Sequence, residues 1–126
     1  MDTKLKDIYQ DEMRQRVEKL RMSLVLARAE DAATRREALY DAHLHAHTIK
    51  GTSEQLGLNA AAQLGSAMSD ALEHAREEQA VAPGVKSDID RACNALTVWI
   101  DSGLEDQRAM VMAAAAFATG DSRSAR

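Results

Sequence analysis

Cysteine occurs once in the 126-residue chain, at Cys93. That excludes an internal disulfide and a multi-cysteine metal site, and it fits a reducing compartment. Proline also occurs once, at Pro83, so little interrupts helices on either side of it. Aromatics make up 3% of the residues and β-branched runs are few, which leaves little material for a sheet. No basic tract stands out and the net charge is −4, so the electrostatic footprint of nucleic-acid binding is missing. No apolar stretch approaches the roughly 20 residues that a bilayer span needs. The charged start MDTKLKDIYQDEMRQ does not read as a secretory signal. The expectation is a cytoplasmic protein with neither nucleic acid nor membrane as partner.

What is abundant is Ala, Leu, Arg, Glu and Met, all good helix formers. The length suits one domain. A first helix is expected over 4–29, with Ile8, Met13, Val17, Leu20, Leu24 and Ala27 inward and Asp2 or Thr3 as its cap. Thr34 with Glu37 reads as the capping box of a second helix ending near Leu56. Its stripe is Leu39, Ala42, Ala46, Ile49, Ser53 and Leu56, and Gly57 follows as the terminator. Asn59 reads as the cap of a third helix that turns Ala61, Leu64, Met68, Leu72 and Ala75 inward. The stretch 80–87, with Pro83 and Gly84, reads as a loop. Ser87 or Asp88 would then cap a fourth helix carrying Ile89, Ala92, Leu96, Trp99 and Ile100. Gly103 marks a kink or stop, and a further helical segment covers 104–118. The expected fold is all-α, an antiparallel up-down four-helix bundle with an additional C-terminal helical segment. The bundle would take in 1–118 and leave 119–126 as a disordered tail, with a monomer as the expected state.

The chemistry concentrates in HLHAHTIKGTSEQLG, residues 43–57. At 100° per residue, His43, His45 and His47 do not share one face, and His47 projects roughly 130° from the stripe centred near Ala46, Ile49 and Ser53. It is therefore expected on the wet side of a packed helix. Lys50 and Gly51 neighbour it at i+3 and i+4. Neutral imidazole is nucleophilic, and histidine is mostly neutral at cellular pH. A phosphoryl group on its ring adds close to two negative charges, which a lysine one turn away can offset. Glycine within a helix costs about 1 kcal/mol relative to Ala; leaving the histidine open to another protein is a reason to tolerate it. Each residue alone has a bland reading: a surface histidine, a solvated lysine, a packing glycine. Their order on one exposed patch, behind which the helix is apolar, favours the chemical reading. Leu44, one turn earlier, could belong to a docking surface or pack under a neighbouring helix.

These residues carry a resemblance. AHTIKGTSEQLGLNAAAQLG, residues 46–65, resembles the signature of histidine phosphotransfer (HPt) domains, typically H-T-L-K-G-S/A with L-G a few residues on. His47, Thr48, Ile49, Lys50, Gly51, Leu56 and Gly57 match it in place. The resemblance implies a phosphorelay protein in two-component signal transduction. His47 would be the phosphoacceptor, relaying a phosphoryl group on Nε2 between aspartates of receiver domains, and Lys50 would stabilise the phosphate. His43, Leu44, Thr48, Gly51 and Glu54 would belong to the partner-docking face. The implied partners are a response-regulator receiver domain and a sensor or hybrid histidine kinase. No cofactor and no resident metal are expected, since the receiver supplies the metal ion. Family members with a Gln on the third helix use it to orient the imidazole; Ser69 stands there in this chain and is the candidate for that part.

Three rivals remain. A kinase dimerisation domain would show Glu after the histidine and Pro soon after, but Thr48 follows His47 and Pro83 is the sole proline. A metal-binding bundle could use His43 and His47 at i, i+4, with His74 or Glu54 as third ligand. A helical adaptor that binds a receiver or kinase without being phosphorylated is the alternative function.

Overall fold

The structure, a computed structural model, describes residues 1–118. Five helices follow one another: α1 (Thr3–Leu26), α2 (Ala32–Gln55), α3 (Asn59–Glu78), α4 (Pro83–Asp101) and α5 (Arg108–Ala118). There is no strand among the described residues. No described helix is long and apolar enough to cross a membrane. The expected all-α class and bundle architecture hold; the tail expected over 119–126 lies outside the described residues.

The helix stripes make the core. Met13, Val17, Leu20 and Leu24 of α1 meet Ala42, Ala46 and Ile49 of α2. Leu64, Met68 and Leu72 of α3 and Ile89, Leu96, Trp99 and Ile100 of α4 complete the same cluster. In the bundle α1 packs on α2 and α4, and α2 packs on α3. The contact between α3 and α4 is the thinnest of these, and α5 lies against both of them. There α5 buries Met110 and Ala113, so the C-terminal segment closes the bundle over an apolar seam.

One stripe position differs from expectation. Ile8 is 57% exposed, whereas Tyr9 is 2% exposed. Tyr9 lies four residues before Met13 and so shares its face, while Ile8 at five is turned away. The Tyr9 hydroxyl is 2.7 Å from the Ser53 hydroxyl, and its ring meets Trp99 edge-on at 5.9 Å. Burial pushes the Tyr9 phenol up to about 12.

The caps also differ. Asp31, not Thr34, caps α2: its carboxylate accepts from the Thr34 N–H at 2.9 Å and the Thr34 hydroxyl at 2.6 Å. Those bonds hold the Asp31 carboxyl below its usual range. The first helix stops at Leu26 rather than 29, and the Arg35 guanidinium donates to the Ala29 and Glu30 carbonyls, fixing the turn from the next helix. Asn59 is the first residue of α3 rather than its cap. Pro83 opens α4 instead of lying in a loop before it. Proline suits a first helical turn because its φ is preset and its missing N–H has no partner to lose. Ser87 and Asp88 therefore lie inside α4, with Asp88 buried.

Gly57 behaves as expected. At φ 70° it is left-handed, and the Leu58 N–H reaches back to the Ser53 carbonyl at 2.9 Å, closing the end of α2. The same device stops α4 at Gly103 (φ 75°), with the Leu104 N–H on the Trp99 carbonyl. After it, the Ser102 hydroxyl accepts from the N–H groups of Glu105 and Asp106, so α5 begins at Arg108 rather than 104.

Candidate phosphoryl-carrying face

The tight turn at Gly57 makes α2 and α3 antiparallel neighbours, and their register sets what flanks His47. Gly65 of α3 lies against the backbone of Lys50: a Cβ at residue 65 would stand 2.7 Å from the Lys50 nitrogen and 3.2 Å from the Ile49 side chain. Further along, Arg76 of α3 reaches His43 of α2. Ser69 lies on α3 between these two crossings, as His47 does on α2.

On α2, Ala46 and Ile49 are fully buried and His47 is exposed. The imidazole thus stands on a backbone anchored from behind, and solvent or a partner can reach it. Lys50 is half-buried, one turn on. Among the described residues no carboxylate pairs with its ammonium, which leaves the charge available to an anion. At Gly51 an added Cβ would meet nothing within 4 Å. Among the described residues the close helix packing falls to Gly65 instead.

The other expected residues divide. Leu44 is 43% exposed and Glu54 is exposed, both on the outer side of α2. The Thr48 hydroxyl donates to the Leu44 carbonyl at 2.9 Å, a bond to its own helix. The His43 ring lies 6.3 Å from that of His47, centroid to centroid. Its Nδ1 accepts from Arg76 Nη1 at 3.4 Å. Burial first, and then the Arg76 charge, hold the His43 pKa below its ordinary value. On the opposite flank, His45 Nδ1 accepts from Arg16 Nη1 of α1 at 3.2 Å, and burial followed by the Arg16 charge lowers its pKa likewise. Two of the three histidines are therefore tied to arginines of neighbouring helices, and His47 stands between them on the outer surface.

Ser69 is 6% exposed, and no hydrogen bond joins it to His47 among the described residues. The metal reading finds no assembled site: among the described residues no group of three His, Cys, Asp or Glu could hold an ion. His74 faces Glu77 and Glu78 on the outer side of α3, at 4.0 and 3.8 Å.

Sequence reasoning passes over Arg76, Tyr40 and Gly65. The Arg76 guanidinium carbon lies 5.0 Å from the centroid of the Tyr40 ring while the group contacts His43. The usable signal is the short turn at Gly57. Residues about equally far from it on the two helices must meet, which pairs Lys50 with Gly65.

A comparison with protein-family models gives a match. The Hpt domain model matches residues 4–109, which takes in α2 and α3 entire and all but the first residue of α1. No curated protein and no solved structure matches the chain. With the family match spanning the whole of the bundle up to the start of α5, the chain belongs to the Hpt domain family, the histidine phosphotransfer domains of two-component signalling.

Proposed function

We propose that this protein relays phosphoryl groups between aspartates of receiver domains through His47. One observation carries the reading. His47 is an exposed imidazole on a packed helix, next to a Lys50 ammonium that no carboxylate pairs with among the described residues and a side-chain-free opening at Gly51.

The chemistry balances simply. A ring nitrogen of neutral His47 attacks the phosphorus of an aspartyl phosphate in line. The N–P bond forms as the P–O bond to the aspartate breaks, and the carboxylate leaves with the bonding pair. The proton on the ring's other nitrogen passes to solvent, giving neutral-ring phosphohistidine. The reverse sequence at a second receiver returns the group to a carboxylate. Lys50 steadies the oxygens electrostatically, worth most once the partner excludes water. The docking face would take in Leu44, Gly51 and Glu54, with a response-regulator receiver and a sensor or hybrid histidine kinase as partners.

Incubation with phosphorylated receivers tests this. The expected product is an acid-labile, alkali-stable label on the protein, absent from His47→Gln. Binding of receivers without any label on wild type would instead make the chain a helical adaptor.

A further inference from the structure

His43 holds a place on this face that docking alone does not explain. It precedes His47 by one turn, with ring planes 37° apart and centroids 6.3 Å apart. Helix side chains lean toward the N-terminus, so the His47 ring reaches back over the turn that holds His43. A phosphoryl group on that ring carries its oxygens farther in the same direction.

The ring of His43 is also locked. A guanidinium has donors only, so the contact from Arg76 Nη1 at 3.4 Å makes Nδ1 of His43 an acceptor. The neutral ring then keeps its proton on Nε2, at the end away from Arg76. Arg76 is itself held by its stacking on Tyr40. The chain Tyr40, Arg76, His43 thus ends in an N–H donor on the ring one turn before His47. The charged and titratable groups that act on His43 are His47 on its own helix and Asp70, Glu73 and Arg76 on α3. Burial and Arg76 favour the neutral ring before phosphorylation. Among the described residues no hydrogen bond joins Ser69 to His47.

We propose that His43 binds the phosphoryl group on His47 by donating from Nε2 to a phosphoryl oxygen, and that Arg76 is the positioning residue that fixes its tautomer. This rests on His47 as the carrier. The dianion formed next to His43 stabilises its imidazolium, so phosphorylation of His47 raises the His43 pKa. The two sites are then reciprocally coupled.

Phosphoramidate is a suitable probe because it needs no partner protein. The His47 ring nitrogen attacks its phosphorus, the P–N bond breaks, and ammonia leaves with the ring proton. Ring 15N shifts of the unphosphorylated protein should show His43 as the Nε2–H tautomer in wild type and a mixture in Arg76→Ala. The His43 pKa should rise on phosphorylation. His43→Leu should slow phosphorylation of His47 roughly tenfold, the loss of a charge-assisted hydrogen bond, and His43→Gln, whose amide donates from nearby, should recover part of it. An Nδ1–H tautomer in wild type overturns the proposal without touching His47, as does an unchanged rate in folded His43→Leu. A wild type that takes no phosphoryl group while His43 shows the Nε2–H tautomer contradicts the carrier reading, and the proposal falls with it.

Discussion

Gly51 and Gly65 lie on two sides of Lys50 and do opposite things. Around Gly51 there is open space, whereas a Cβ at Gly65 would strike the Lys50 backbone. Gly51→Leu should therefore keep the fold and raise helix stability by up to about 1 kcal/mol, while abolishing receiver binding. A thermal melt and a receiver titration check the two halves, and unchanged receiver affinity would contradict the access argument. The histidines flanking His47 give the molecule a pH dependence of definite sign. His43 and His45 have lowered pKa values in the folded state. Above about pH 6.5 both are neutral whether folded or unfolded, so their share of stability is intact. As the pH falls below that, the unfolded chain takes up protons first and the folded state loses ground until the lowered pKa values are passed. Urea midpoints should drop between neutral and mildly acidic pH, and less so in His43→Gln. A midpoint that rises on acidification in this window would contradict the burial of these rings.

At the scale of elements, α2 carries the proposed phosphoacceptor and α3 packs beside it, and their closeness depends on one missing side chain. Gly65→Ala must push the helices apart, at a cost of about 1–3 kcal/mol, and shift Lys50 relative to His47. Denaturant unfolding measures the first effect; a stability equal to wild type would mean the helices are less tightly packed than described. The stripes of α2, α3 and α4 are legible in the sequence because steps of three and four residues leave no second face to bury. The first turn of α1 is less so. Tyr9 carries a hydroxyl and Ile8 does not, and hydrophobicity ranks them the wrong way until Ser53 supplies a partner. Caps are the least legible. Asp31 and Thr34 are both good capping residues, and which one acts depends on where Arg35 fixes the preceding turn. For the site, the place of His47, Lys50 and Gly51 follows from helix geometry alone. Arg76 does not, because its relation to His43 exists only once two helices are set in register.

For the molecule as a whole, α5 completes a bundle whose third and fourth helices meet only thinly. The family match ends at residue 109, two residues into α5. Met110, fully buried against the core, is the anchor of that added helix. Met110→Ala should destabilise the whole protein by about 2–5 kcal/mol in one cooperative transition. A separate early transition, or none, would show α5 to be a loosely attached appendage. On the proposed reading, the bundle holds one exposed imidazole above a solid core, in reach of a partner. Four histidines are present, and the account assigns the phosphoryl group to one of them. Site-resolved mass spectrometry after exposure to phosphorylated receivers, with samples kept at alkaline pH, tests that assignment most directly. The account predicts a phosphoryl group on His47 and no label in His47→Gln; modification centred on His43, His45 or His74, or label persisting in that variant, would contradict it.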